Sequence, residues 1–216
     1  MSQRILVCCA LKDDAAVGAG GTIAKYAKEG KEVRVIVFSY GELGQGYLKP
    51  ELVRKFHIKE AKEANEILGG QGVLFLGLRE GKFVQEAVQP PMRKRLKNLL
   101  EEYRPHKIFL HAADDPQPGH RAVHKIMRSL VKAMNLNCEM YSFDVWSPVS
   151  FKHRNEPKLV VDISKVFDKK LAALNAHKSQ HRLVVGPLLR LKTIIKDWFN
   201  GLKHGCKYAE VFVKLR

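Results

Sequence analysis

Short apolar runs rich in β-branched residues alternate with longer stretches of helical periodicity, and this alternation constrains the fold more than any other feature. The runs typical of strands cover residues 4–10, 33–39, 73–78, 107–111, 138–145 and 158–162. Helical patterns cover residues 50–68, 90–104 and 119–133. Strands separated by helices pair in parallel, and the helices then cover both faces of the sheet. We therefore predict an α/β fold, a three-layer Rossmann-like domain with a mostly parallel sheet.

The length of 216 residues suits one hydrophobic core, and the sequence contains no repeat, low-complexity tract or linker. We expect a single domain spanning residues 1–216. Hydrophobic residues make up 45% of the chain and charged residues 28%, which excludes a disordered or polytopic membrane protein. The first apolar run, residues 5–11, is too short to span a bilayer, and no cleavage motif follows it. The four cysteines form no CxxC pair, which is typical of a reduced, cytoplasmic protein.

Positive charge is concentrated in the last third of this basic protein. The formal net charge is +16, and residues 151–216 carry 15 basic against 5 acidic side chains. Such a surface is either simply well solvated or complementary to an anionic lipid, a nucleic acid or a phosphorylated molecule. Nucleic acid has no motif in its favour beyond charge, so we do not expect it as a partner.

An amphipathic stretch within this basic region, residues 188–203, carries apolar side chains at helical spacing. They are Leu188, Leu191, Ile194, Ile195, Trp198, Phe199 and Leu202. Basic side chains lie outside this stripe. The pattern is typical of a helix that docks on its own domain or on another subunit of a homo-oligomer. It also fits a helix that lies in a membrane interface and binds anionic headgroups.

The glycine-rich segment after the first strand does not predict a dinucleotide site. Gly18 and Gly20 would begin a GxGxxG motif, but its third position is Ile23. The second strand also ends without the acidic residue that binds a ribose hydroxyl.

The loops that follow the predicted strands contain a group of carboxylates and histidines. These are Asp13, Asp14, Glu42, Glu80, Asp114 and Asp115, with His111 and His120 at the borders of the last loop. Ligands of open α/β sheets bind beyond the carboxyl ends of the strands. Imidazole and carboxylate groups bind zinc, and a second carboxylate can deprotonate a metal-bound water. The residues therefore predict a hydrolytic metal site at this edge. For Asp13 and Asp14 the alternative is a structural role at a helix N-terminus.

The order of several motifs resembles the PIG-L/LmbE-type de-N-acetylases. In that family AHPDDE is followed by GGTIA and by a strand ending in GE, and residues 5–42 are similar, with ALKDDA, GGTIA and YGE. Further matches are EAKEANEILG, FLGL and PQPGHRAV, the last of which resembles the family's HPDHRAV. The segments VDIS, HKSQ and YAEVF extend the resemblance through nearly the whole chain.

The resemblance implies a metal-dependent amide hydrolase that removes an acetyl group from an N-acetylated, GlcNAc-type sugar or a related small molecule. Zinc or another divalent ion would be the cofactor. Asp13 corresponds to the general base, and Asp14 and His120 correspond to metal ligands. Gln117 replaces the histidine that stabilises the oxyanion. The positions assigned to substrate binding are Lys12, Glu42, His57 and Glu80, with His57 where the family has an arginine.

The match breaks at the first metal ligand, where Leu11 replaces histidine and offers no donor atom. The ammonium of Lys12 would compete with a cation or pair with the neighbouring carboxylates. His124 lies four residues after His120, on the same helical face, and we predict that it completes a three-ligand site with Asp14. His111 is a second candidate ligand, and the alternative for it is a strand-end residue that caps backbone groups. For His124 the alternative is a partly exposed surface residue.

Three functions stay open at this point. The first is an active de-N-acetylase with a rebuilt metal site. The second is a non-catalytic family member, a pseudoenzyme that has lost its metal and binds a carbohydrate or a phosphorylated ligand in the same cleft, with Lys12 replacing the cation. The third is a basic protein that interacts with lipid or another polyanion.

Overall fold

The computed structural model describes residues 2–43, 48–146, 156–181 and 185–216. Residues 44–47 of the predicted loop 40–50 lie outside this description. The strands are β1 Arg4–Cys9, β2 Glu32–Ser39, β3 Val73–Leu78, β4 Lys107–His111, β5 Glu139–Phe143, β6 Lys158–Asp162 and β7 Ala209–Lys214. The helices are α1 Asp14–Lys28, α2 Pro50–Leu68, α3 Phe83–Ala87, α4 Pro90–Tyr103, α5 Pro118–Ala133, α6 Phe167–Ala176, α7 Lys178–His181 and α8 Val185–Lys203.

The seven strands form one sheet in the order β3-β2-β1-β4-β5-β7-β6. Strands β1 to β5 pair in parallel, whereas β7 runs antiparallel to both of its neighbours. The prediction of an α/β fold with a mostly parallel sheet is confirmed. The sequence analysis did not include β7 among the strands, although its residues complete the sheet between β5 and β6.

Two hydrophobic clusters, one on each face of the sheet, make up the core. Ile5, Val7 and Cys9 of β1 belong to the cluster that contains α1 and α6, while Leu6 and Cys8 belong to the cluster under α4 and α5. This division follows from the strand geometry, in which successive side chains point to opposite faces. Helices therefore cover both faces of the sheet.

The glycines of α1 serve close packing against the sheet. A side chain at Gly18 would overlap the ring of Phe143 in β5, and one at Gly21 would overlap Ile163. These two glycines thus let α1 pack closely against β5 and against Ile163, which follows β6.

The part of the chain that the structure describes contains no helix with the length and hydropathy needed to cross a bilayer.

Candidate metal centre

Two neighbouring strands bring the central residues of the candidate site together. β1 ends just before α1, which begins at Asp14, and β4 ends at His111, a few residues before α5 and His120. Because β1 and β4 pair in parallel, the two loops leave the sheet at the same edge. All three side chains are buried.

The three side chains form a compact group. Asp14, His111 and His120 each offer one ligand atom, and these atoms lie within 4.8 Å of one another. Asp14 Oδ2 lies 3.2 Å from His111 Nε2, and Asp14 Oδ1 lies 3.4 Å from His120 Nε2. The two imidazole rings stack with their centroids 3.8 Å apart. One carboxylate and two imidazoles are a ligand set that suits zinc.

The structure joins the predicted ligands Asp14 and His120, but it places His111 beside them where we predicted His124. His124 donates from Nδ1 to the backbone carbonyl oxygen of His111, over 2.7 Å, so it supports the strand end. Helical spacing put the two α5 histidines on one face correctly, yet His124 lies a full turn farther from the start of the helix. The end of β4 lies closer to Asp14, and His111 at that end is the residue that we named as the second candidate ligand.

His120 is positioned by a second carboxylate. Asp115 Oδ1 lies 3.0 Å from His120 Nδ1 and also accepts a hydrogen bond of 2.9 Å from the backbone N–H of Gln117. A carboxylate behind a metal-binding histidine orients the ring and leaves its other nitrogen for the ion. The motif comparison assigned no role to Asp115, although its place between His111 and His120 made it a candidate.

In the protein without a bound ion, the neighbouring carboxylates favour the protonated form of His120. Burial opposes a charged imidazolium, but the carboxylates of Asp14 and Asp115 outweigh it and raise the pKa of His120 to about 10. Burial likewise works against the charged form of Asp14, and the two histidines still hold the pKa of that carboxyl well below its usual range. For His111, burial dominates and lowers the pKa, so its ring is neutral.

These residues fit a divalent cation. His120 Nε2 is buried, makes no hydrogen bond and faces a carboxylate oxygen, so an ion could take the place of the proton there. His111 is the weaker ligand, because its Nε2 accepts a hydrogen bond of 3.0 Å from the backbone N–H of Ala10. A cation bound through that nitrogen would compete with this hydrogen bond.

Leu11 takes part in the site through its backbone. Its N–H donates to Asp14 Oδ2 over 2.7 Å, which holds the carboxylate in place. Its side chain lies beside Gly41, as does the ring of His57.

The ammonium of Lys12 is held away from the three-residue group. Its Nζ lies 2.7 Å from Glu60 Oε2 and 3.4 Å from His177 Nδ1. Glu60 is anchored in turn by the backbone N–H and hydroxyl of Ser179, each at 2.7 Å. The side chain of Lys12 is buried, and Glu60 in α2 is its ionic partner.

Asp13 lies half-buried at the start of α1, and its side chain makes no capping hydrogen bond. It lines a cavity together with Val17, Leu174, His177, Leu189 and Arg190. Burial raises the pKa of Asp13, the charge of Lys12 opposes this, and the charge of Asp14 adds to it. A carboxylate with a raised pKa is a stronger base than an exposed one.

The other predicted substrate-binding residues gather at the end of β2. Glu42 is buried, with Oε1 3.3 Å from Arg54 Nη2 and 3.4 Å from the backbone nitrogen of Glu80. Glu80 accepts a hydrogen bond of 2.6 Å from the N–H of Leu43, and His57 donates from Nδ1 to the carbonyl oxygen of Tyr40 over 2.6 Å. Gln117 is half-buried and immediately precedes α5.

The fold and the buried carboxylate–imidazole group define a three-layer α/β protein with a candidate metal centre at the carboxyl ends of its strands. Residues 6–131 match the family model described as PIG-L, GlcNAc-PI de-N-acetylase. That match covers more than half of the chain, and the protein belongs to the PIG-L family.

Two relatives and one solved structure illustrate the similarity. A probable N-acetyl-alpha-D-glucosaminyl L-malate deacetylase 2 of Bacillus cereus is 28% identical, over 83% of this chain and 84% of its own. The diacetylchitobiose deacetylase of Thermococcus kodakarensis is also 28% identical, over 92% of this chain and 78% of its own. The structure of a 4-carboxy-2-hydroxymuconate hydratase from Pseudomonas putida superimposes with a TM-score of 0.83 at 21% identity, covering 99% of this chain and 96% of that one.

Proposed function

We propose that this chain is a metal-dependent amide hydrolase that removes the acetyl group from an N-acetylated glucosamine-type sugar. The observation that carries the proposal is the buried group of Asp14, His111 and His120, with Asp13 next to it in the sequence. The two curated relatives described above are named as deacetylases of GlcNAc-derived compounds, which supports the substrate class. The fold alone would not support this substrate class, since a hydratase has the same fold.

The chain's own residues divide the work of hydrolysis. A divalent cation bound by Asp14, His111 and His120 would supply Lewis acidity toward the amide carbonyl and acidify the attacking water. Asp13 accepts the proton of that water as oxygen adds to the carbonyl carbon. The amide group of Gln117 can donate a hydrogen bond to the developing oxyanion, but it has no proton to give away. Asp13 then holds the proton taken from the water and can return it to the departing amine when the C–N bond breaks.

The test is acetate release from N,N'-diacetylchitobiose by the purified full chain, with zinc, cobalt or manganese added after removal of bound ions. We expect equimolar acetate and free amine, and loss of both with a chelator. Binding of a metal without any hydrolysis of this probe or of N-acetylglucosamine would contradict the proposal.

The second candidate is the non-catalytic family member, and Leu11 in place of a ligand is the observation that favours it. The two functions differ in their metal requirement. Titration calorimetry of the metal-free protein with N-acetylglucosamine would show binding for the non-catalytic member, whereas the hydrolase should need the ion for both binding and turnover.

Replacing Leu11 by histidine should raise zinc affinity, because it adds a fourth donor beside Asp14, whose Oδ2 accepts a hydrogen bond from the N–H of residue 11. We expect an increase of about tenfold or more, since the loss of a single contact at a metal site lowers metal affinity by a similar factor. Competition with a chromophoric chelator measures the affinity. Leu11→Phe is the matched control, since it introduces a ring without a donor. Equal affinities of the histidine variant and the native chain would show that position 11 does not face the ion.

Replacing Asp115 by asparagine should weaken zinc binding by about 10- to 100-fold, the usual cost of losing an outer-shell partner of a ligating histidine. The neutral amide still accepts the hydrogen bond from Gln117, so the start of α5 should be preserved. The same chelator competition applies, with Asp114→Asn as the control at an exposed neighbour. If both variants bind zinc like the native chain, Asp115 does not position His120.

A further inference from the structure

Helix α8 exposes a continuous row of large apolar side chains. This α8 stripe consists of Leu188, Leu191, Ile195, Trp198, Phe199 and Leu202, each between 43% and 59% exposed. Their spacing of three or four residues places them on one face, over about 21 Å of helix. Of the predicted apolar set, only Ile194 turns toward the core. Exposed apolar patches of this kind mark interaction sites.

The domain already occupies the opposite face of α8. Leu189, Thr193 and Asp197 are buried, and Asp197 Oδ2 lies 2.6 Å from the Nζ of Lys170. Lys196 Nζ donates to the carbonyl oxygen of Asp144 over 2.8 Å. These contacts fix the rotation of the helix about its axis. Of the alternatives for the stripe, docking on its own domain is wrong, because its side chains are exposed and the opposite face of α8 makes those contacts.

The exposed charged side chains of residues 185–216 are all basic. Residues 185–216 contain two acidic side chains, Asp197 and Glu210, and both are buried against Lys170. Lys203 and Lys207 are exposed, and the Nζ of Lys203 lies 4.4 Å from the centroid of the Phe199 ring, at the edge of the stripe. An apolar face with cations beside it and no exposed acid is complementary to an anionic lipid surface.

We propose that the α8 stripe docks on an anionic lipid bilayer, with its apolar side chains in the interfacial layer and Lys203 at the level of the phosphates. A second copy of the chain fits this face less well. In a two-fold contact the same patch meets itself, and this segment offers no exposed acidic side chain that could pair with the cations of the other copy. The proposal does not depend on the hydrolase activity, and it concerns a different surface from the metal centre.

Co-sedimentation of the full chain with vesicles tests the proposal. With vesicles containing about 30% phosphatidylserine we expect binding that weakens strongly between about 0.05 and 0.5 M salt, and much weaker binding to pure phosphatidylcholine. The double change Ile195→Ser with Trp198→Ser should reduce binding by about tenfold or more, because it removes apolar side chains from the interface. Lys203→Glu should reduce binding to anionic vesicles only.

Phe56→Ser is the matched control, since Phe56 is a comparably exposed apolar residue on α2. Circular dichroism checks that each variant is folded. Absence of binding to anionic vesicles, or binding that the double change leaves intact, would overturn the proposal. A dimer that forms without lipid and is lost in the same double variant would also overturn it and assign the stripe to a second copy.

Discussion

Replacing Lys170 by methionine should lower the free energy of unfolding by about 3–5 kcal/mol, the usual cost of removing one partner from a buried ionic group. Lys170 is fully buried in α6, and its Nζ lies 2.6 Å from both Asp197 Oδ2 and Glu210 Oε1. Methionine is similar in shape to the lysine side chain but has no charge. The variant therefore leaves two carboxylates in the core without their counter-ion.

The group links elements that are distant in sequence. Glu210 in β7 accepts hydrogen bonds from the backbone N–H groups of Gly21 and Thr22 and from the Thr22 hydroxyl, at 2.6 to 2.9 Å. Loss of the ammonium thus disturbs α1, α6, α8 and β7 together. Urea denaturation followed by circular dichroism measures the effect. The control Lys169→Met, at an exposed neighbour, should change stability by less than about 0.5 kcal/mol.

The pH dependence gives this prediction a second readout. Burial raises the pKa of Asp197 to about 6 even with Lys170 nearby, and without the ammonium it should rise further. A carboxyl whose pKa is higher in the folded than in the unfolded state takes up a proton on folding, so its burial costs less at low pH. The difference in the free energy of unfolding between the native chain and the variant should therefore decrease as the pH falls from about 8 to about 5. A gap below about 1 kcal/mol at neutral pH would contradict the prediction.

The parallel part of the fold follows from local sequence patterns, while its antiparallel edge does not. β1 to β5 are short apolar runs separated by helices, and that order predicts parallel pairing. β7 pairs along its length with β6 and at its end with β5, where Tyr141 faces Lys214. No local pattern specifies insertion of the last strand between two earlier ones. Likewise, nothing in the sequence around Lys170 distinguishes it from a surface lysine. Its two buried partners, Asp197 and Glu210, are brought to it only by the folded core.

The candidate site shows the same division. The motif order predicts Asp14 and His120 as ligands, because each lies in a segment that resembles a motif of the family. The choice between His111 and His124 depended on long-range pairing. Helical spacing favoured His124, but the register that aligns Val7 with Phe109 puts the end of β4 beside the loop after β1. Only the sheet reveals that the strand-end histidine lies closer to Asp14.

Helix α8 adds a third case. The spacing of its apolar residues was readable from the sequence, and so was the surrounding positive charge. The sequence does not predict that the stripe faces solvent, because the apolar face of an amphipathic helix ordinarily packs on the core. Here the polar face is the inner one, since Asp197 pairs with Lys170 and Lys196 binds a backbone carbonyl.

In the metal-loaded protein, Asp13→Asn should lower kcat for deacetylation by about 10²- to 10⁴-fold, the usual contribution of a general base. Asparagine has nearly the same shape as aspartate but cannot accept the proton of the attacking water. Asp13 is not one of the three grouped ligands, so zinc content should stay stoichiometric. Acetate release and zinc content are measured on the same samples. Asp168→Asn, at an exposed position on α6, is the control for the loss of one negative charge.

The pH profile separates a base from a residue that only shapes the cleft. Asp13 acts when it is deprotonated, and burial raises its pKa, so native activity should fall with decreasing pH at a higher value than for an exposed aspartate. The variant has no such group, and its small residual rate should lose this acidic limb. A variant that keeps native kcat would exclude Asp13 as the base. Because Gln117 has no proton to give to the amine, that result would also remove the proton path through Asp13 on which the hydrolase proposal depends.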